Sequence, residues 1–254
     1  MSHVPPEPGT AQNAVKRVRA AFEYDLGGDL RYLAHSDELR MLVRALTRAA
    51  WPLRYTGGFN PTPQISIPLP RSVGTAAECQ WALVALSEER ATDELAGQLA
   101  PTLPKYCTLK QVICPATNAS PQPAIVSYRV ALDALDAGAV KTRVQRLLAA
   151  DELVVSRMRG PRTPARELDI RPYVDTLTLD GTELSMRLKF VAQQSARPIE
   201  IVTNLGLAAD DYRHRVVRTE VVWNLELADD GGNAAALRGT TFVCSESNTN
   251  HEET

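Results

Sequence analysis

The chain has 254 residues, a formal net charge of -2, 44% hydrophobic residues and 23% charged residues. This is the balance of a soluble globular protein with room for one large domain or two small ones. It excludes a chain-wide polyelectrolyte, so any anion-binding surface has to be local.

Polar segments rich in Pro, Ala, Ser and Asn at 1–14, 115–124 and 229–254 read as unstructured. They leave two units of about domain size, 15–114 and 125–228, with 115–124 as the linker. The first unit opens with an alternating strand, Val15 to Tyr24, ended by the Gly27-Gly28 turn. A helix follows from Ser36, the expected N-cap, with Asp37 and Glu38 in the first turn, where the helix dipole favours negative charge. Leu39, Leu42, Val43 and Leu46 recur at helical spacing and give it an apolar face. After a Gly/Pro-rich loop come strands at Ile65–Ile67 and Cys79–Leu86, a helix at Thr92–Leu99 and a strand at Tyr106–Ile113.

The second unit reads similarly: a strand at Tyr128–Leu132, a helix at Ala139–Ala149 and a strand at Leu153–Met158. Strands at Val174–Leu179 and Leu184–Val191 form a hairpin around Asp180-Gly181, a pair suited to a type I′ turn. Pro198 fits the first turn of a short helix ending near Gly206, and a last strand runs from Val216 to Leu225. The order predicts an α+β fold of two tandem ferredoxin-like (βαββαβ) units with antiparallel sheets.

The four cysteines, Cys79, Cys107, Cys114 and Cys244, form no C-x-x-C pair and have no histidine at zinc-finger spacing. They read as buried or incidental thiols, with no iron–sulfur motif and no metal site. No apolar run approaches the roughly 20 residues that cross a bilayer. The polar start is not a secretory signal, so a cytoplasmic location is expected.

Chemistry concentrates between Leu30 and Gly74. Arg40, Arg44 and Arg48 recur every four residues and stack on one helix face. Between Leu39 and Ala77 there is no acid, while Arg54 and Arg71 add to the same stretch, so a local basic patch suited to phosphate is expected. The bland alternative is a solvated helix face paired with acids such as Glu78 or Glu88. In the loop Tyr55 to Pro63, Gly57 and Gly58 permit positive φ and close approach of a ligand. Tyr55 and Phe59 offer stacking faces, and Asn60 offers both a donor and an acceptor. Phe59 anchoring the core is the structural alternative.

His35 and Asp37 at the helix entrance are either an acid–base pair or a capping pair. Two further basic clusters, Arg157, Arg159, Arg162 and Arg166, and Arg213-His214-Arg215 with Arg218, are candidates to extend a basic groove between the halves.

At Leu30, Arg31, Tyr32, Leu33, His35, Asp37, Arg40, Arg44, Ala45, Arg48, Ala49, Pro52, Tyr55, Thr56, Gly58, Phe59, Asn60, Pro61, Pro63, Ile65 and Ser66 the sequence resembles the radical-SAM-linked protein family. This is a domain of unknown function fused to, or found beside, radical SAM enzymes. The segment LDIRPYV, with Asp169, Arg171 and Pro172, resembles a second motif of that family. Ala34, Thr62 and Gln64 depart from the pattern, which has Ser, His and a basic residue there.

The resemblance implies a stand-alone accessory protein without a cofactor of its own, whose radical SAM partner carries the iron–sulfur cluster and S-adenosylmethionine. Arg31, Arg40, Arg44, Arg48, Tyr55, Gly58, Phe59, Asn60 and Arg171 are the ligand-binding candidates, with RNA or another phosphate-bearing molecule as ligand. Two alternatives stand beside this. One is an RNA-processing enzyme resembling RAMP-type endonucleases, with His35 as base and Asp37 beside it. The other is a protein-interaction module with a basic face.

Overall fold

The computed structural model describes residues 18–115, 121–158 and 164–224. The segments expected to be unstructured at 1–14 and 229–254, half of the linker, Arg159, Arg162 and Cys244 lie outside the described residues.

In the first half, β1 (Val18–Leu26), α1 (His35–Arg48), β2 (Ile65–Ser66), β3 (Ala76–Leu86), α2 (Thr92–Leu99) and β4 (Cys107–Ile113) follow the expected order. β1 pairs antiparallel with β3 and β4, and the short β2 pairs antiparallel with β3. Period-2 alternation decides which side chains are buried together. Ala20, Phe22, Tyr24 and Leu26 of β1 join Ala82, Val84 and Leu86 of β3, and Leu42, Ala45 and Leu46 of α1 close over them. Each fully buried leucine there contributes about 1.5–3 kcal/mol through removal from water.

The second half contains β5 (Gln122–Ala131), α3 (Ala134–Ala149), β6 (Val154–Arg157), β7 (Arg166–Asp169), β8 (Val174–Asp180), β9 (Glu183–Lys189), α4 (Pro198–Asn204), α5 (Ala209–Tyr212) and β10 (Val216–Asn224). The β8–β9 hairpin turns at Asp180–Glu183 with Gly181 at φ 54°, as the Asp-Gly pair requires. Its core gathers Val130, Val140, Leu184, Met186, Leu188, Ile201 and Val202.

The expectation of separate antiparallel sheets is corrected. One eight-stranded mixed sheet runs β4-β1-β3-β10-β5-β9-β8, with β2 also on β3, and β6–β7 forms a separate hairpin. The halves fuse because β10 lies parallel to β3 over Val217–Ala76 and Arg218–Ala77. Trp81 of β3, Val126 of β5 and Val221 and Trp223 of β10 then pack in one cluster across that seam.

Local corrections follow from tertiary packing. β5 starts at Gln122, inside the expected linker, because Asn224 and Trp223 of β10 supply partners for Gln122 and Pro123. α3 starts at Ala134, earlier than its apolar periodicity suggests, with Asp133 at the N-cap position. Arg157, within the expected strand Leu153–Met158, pairs with Arg166 of β7, a strand that was not expected.

Candidate ligand-binding groove and loop

α1 begins at His35 after Ala34, with no side-chain cap, so Ser36 is not the N-cap. The cap is missing because Ala34, at the N-cap position, has no side-chain oxygen to accept from the first-turn amides. Glu38 is buried, accepts a hydrogen bond from the Tyr24 hydroxyl at 2.7 Å, and lies 3.1 Å from Arg71. Burial raises the Tyr24 hydroxyl well above its ordinary range, and the neighbouring Glu38 charge adds to it.

Arg71 is therefore no part of a free basic patch. Its guanidinium also donates to the carbonyls of Leu30 (2.9 Å), Leu33 (3.2 Å) and Thr75 (3.1 Å). Burial lowers its pKa, an effect that the Glu38 carboxylate opposes. The absence of acids between Leu39 and Ala77 hid this pair, since the partner stands one residue before that window.

The outer face of α1 keeps the predicted stripe. Arg40, Arg44 and Arg48 line a groove of about 410 Å³ together with Asp37, Leu30, Leu33, Met41 and Pro104. Arg40 pairs with Asp37 at 2.7 Å, an exposed contact worth little in water. Arg48 donates to the Thr102 carbonyl at 2.6 Å. Arg44 is exposed and has no hydrogen bond or ion pair among the described residues. The groove thus combines three guanidinium groups, one of them free, with an apolar floor. Sequence spacing found the arginines but not the floor. Pro104 comes from the turn after α2, and no local pattern ties it to α1.

The His35–Asp37 pair is not hydrogen bonded, because Asp37 Oδ1 accepts from Arg40 instead. His35 itself is exposed at the first position of α1. The acids considered as partners of the stripe also lie elsewhere: Glu88 pairs with Arg90 and Glu78 with Arg129.

The loop after α1 is a finger on the edge of β3. Arg54 N–H donates to the Ala85 carbonyl, Gln64 N–H to the Arg54 carbonyl, and Tyr55 bridges Pro63. Thr62 is structural here: its amide donates to the Thr56 hydroxyl at 3.0 Å and its carbonyl accepts from Thr56 N–H at 2.8 Å. Gln64 donates to the Tyr55 carbonyl at 3.2 Å. Of the three departures from the resembled pattern, Thr62 stitches the stem through its backbone and Gln64 through its side chain. At the tip, Gly58 has φ 110°, Asn60 is exposed, and Phe59 is 99% exposed, which overturns the core-anchor alternative. Tyr55 is 47% exposed. Among the described residues the finger's hydrogen bonds run within it or to β3, none to the groove.

The remaining candidates divide sharply. Arg31 holds the fold together, donating to the Gly28 carbonyl at 2.9 Å and to the His214 carbonyl. Arg171 ties the end of α3 to the start of β8 by donating to the carbonyls of Leu148 (2.7 Å), Ala150 (3.1 Å) and Val174 (3.3 Å). Asp169 accepts from the amides of Leu153 and Arg171, and these hydrogen bonds hold its carboxyl below the usual range. Arg157 forms a bidentate pair with Glu200, both contacts at 2.7 Å. Arg215 pairs with Asp133 at 2.7 Å. Arg218 is 2% exposed and bonds Gln80 at 2.7 Å and the carbonyls of Leu69 and Pro70. Among the described residues, no group of three or more His, Cys, Asp or Glu is placed to hold a metal. No helix among them is long and apolar enough to cross a membrane.

Fold and site together define an α+β protein that carries an arginine-lined groove and an aromatic-tipped finger on its first half. The chain belongs to a bacterial family, DUF2344, described as an uncharacterized protein conserved in bacteria, whose pattern matches residues 17–199. The match covers the groove, the finger and Arg171, and it stops before Arg213 and His214. No curated protein matches the chain.

Proposed function

We propose that this chain is an accessory protein that holds RNA or another phosphate-bearing ligand for a radical SAM enzyme in the cytoplasm. The partner supplies the iron–sulfur cluster and S-adenosylmethionine. The observation that carries the reading is the groove lined by Arg40, Arg44 and Arg48, in which Arg44 has no partner among the described residues. Guanidinium groups suit phosphate through paired N–H donors. Phe59, free of any packing role, offers a stacking face for a base. The strand order also supports the tandem ferredoxin-like reading. In each half the strands that follow one another pair as fourth-first-third-second, with the β6–β7 hairpin inserted in the second half.

The test is titration of the full chain into a labelled single-stranded RNA at about 50 mM salt, where phosphate contacts are strong. Binding that weakens steeply with salt and falls in Arg44→Ala and Phe59→Ala is expected. No binding at low salt refutes the reading.

One observation favours the protein-interaction alternative: a phenylalanine 99% exposed at a finger tip is also a docking knob. In that case Phe59→Ala abolishes partner binding while added salt has little effect.

A further inference from the structure

The groove does not end at α1. Leu30 and Leu33 form part of its wall, and Arg31 between them donates to the carbonyl of His214 in the second half. The Arg31 carbonyl in turn accepts from Gly74 N–H at 2.8 Å. Gly74 has φ +91°, and a Cβ there would stand 3.0 Å from Arg213 Cγ, so the stem of Arg213 lies across the glycine backbone. The Gly28–Tyr32 turn, the Gly74 turn and the Arg213–Arg215 turn therefore meet at the seam where the two halves join.

The basic residues of this region differ in what they are free to do. Arg215, Arg218 and Arg157 are engaged by Asp133, Gln80 and Glu200. Arg213 is exposed and has no hydrogen bond or ion pair among the described residues, like Arg44 in the groove. Beside Arg31 in the chain, the aromatic side chain of Tyr32 is 56% exposed. Arg40 to Arg48 spans eight residues of helix, about 12 Å at 1.5 Å per residue. A single phosphate cannot bridge even that stripe. Asp29, Asp37, Asp210 and Asp211 lie on the same segments, so the surface alternates in sign rather than being uniformly basic. That pattern suits a ligand whose charges are separated by neutral units better than a compact polyphosphate.

We infer that Arg44, Tyr32 and Arg213 belong to one track that crosses from the first half to the second and takes a single-stranded polynucleotide. This rests on the anion-binding reading of the α1 groove and extends it beyond the span shared with the family. The phosphates contact Arg44 and Arg213, and an unpaired base stacks on Tyr32.

The experiment uses the full chain and labelled single strands of about 4 and about 16 nucleotides, as RNA and as DNA, over a range of salt. The long strand should bind at least several-fold more tightly than the short one. Arg213→Ala should weaken the long strand alone and lower its logarithmic salt slope by about 0.7, the loss of one single-strand phosphate contact. Arg44→Ala should weaken both, and Arg213→Lys should keep most of the slope. Thermal melting of each variant guards against a folding defect, and Arg213→Lys retains the stem over Gly74. If the long strand binds and needs Arg44 but is indifferent to Arg213, the track is refuted and the groove reading stands. If neither strand binds at low salt, both fail. If a poly-glutamate peptide binds with the same dependence on both arginines and displaces RNA, the ligand is an acidic protein segment and the inference is overturned. A preference for RNA over DNA assigns the strand, since a 2′-hydroxyl is the group that distinguishes them.

Discussion

Removing either member of the Glu38–Arg71 pair should cost the fold far more than removing any exposed arginine of the groove. The two side chains are 0% and 2% exposed and 3.1 Å apart. At an effective dielectric of about 20, unit charges at that separation attract by about 5 kcal/mol. Loss of one partner of a buried pair leaves the other charge uncompensated and typically costs about 3–5 kcal/mol. Arg71→Met also orphans the carbonyls of Leu33 and Thr75, so it should reach the upper end of that range. Glu38→Leu leaves Arg71 its carbonyl partners and orphans the Tyr24 hydroxyl, so it should lie near the lower end. The double variant should be less destabilised than the sum of the singles by about 2 kcal/mol or more, because neither charge is then left alone. Urea unfolding followed by tryptophan fluorescence measures this, with Trp51 packed edge-on to Phe22 at 5.8 Å in the same core. A shift of the midpoint by about 1–2 M is expected for each single variant. Singles that lose less than about 1 kcal/mol, or a strictly additive double, refute the account of Arg71 as a buried staple.

Gly28→Ala should destabilise by about 2–3 kcal/mol, since Gly28 has φ +49° and a Cβ would meet the Tyr106 ring at 2.5 Å; thermal melts should show a smaller penalty when Tyr106→Ala is also present. Alkaline pH should weaken the fold through Cys107, whose thiol is pushed up to about 12 by burial and the nearby Glu38 and Asp25 charges. A raised folded pKa means that this contribution is complete below about pH 9 and is lost as pH rises towards 12. The unfolded thiolate gains about 1.4 kcal/mol per pH unit in that window. Cys107→Ala should therefore flatten the decline of the urea midpoint between pH 9 and 10, and an unchanged decline counts against it. Phe59→Ser should leave thermal stability unchanged within about 0.5 kcal/mol, because the ring is 99% exposed, while removing finger-dependent binding.

Elements driven by local signals were legible in the sequence. α2 occupies Thr92–Leu99 as its periodicity predicts, and the Asp180-Gly181 turn sets the β8–β9 register. The α1 arginine stripe also emerged from spacing alone, because residues four apart share a helix face whatever surrounds the helix. What escaped depends on partners far away in the chain. Glu38 looked like a solvated first-turn acid, and only the return of the chain at Arg71 and the hydroxyl of Tyr24 make it a buried carboxylate. The parallel pairing of β10 with β3 joins residues about 140 positions apart and leaves no periodic trace. β6 was expected as the strand Leu153–Met158, but β7 was hidden because Arg166, Glu167 and Asp169 are charged and carry no apolar alternation.

The motif-dense Leu30–Gly74 stretch thus conceals two populations of residues with opposite energetics. Arg31, Glu38 and Arg71 have their polar groups satisfied inside the fold, and each would leave an unpaired group behind if removed. Arg44, Phe59 and Asn60 have no such contacts among the described residues, so the fold gains little from their identity. A free guanidinium in a groove and a phenylalanine held in water are neutral or unfavourable for the isolated chain. Their free-energy return has to come from something outside it. The sign of the stability change therefore separates the two groups: substitutions in the first should unfold the protein before they reveal any binding role. Substitutions in the second should leave a folded chain whose only loss is in what it holds.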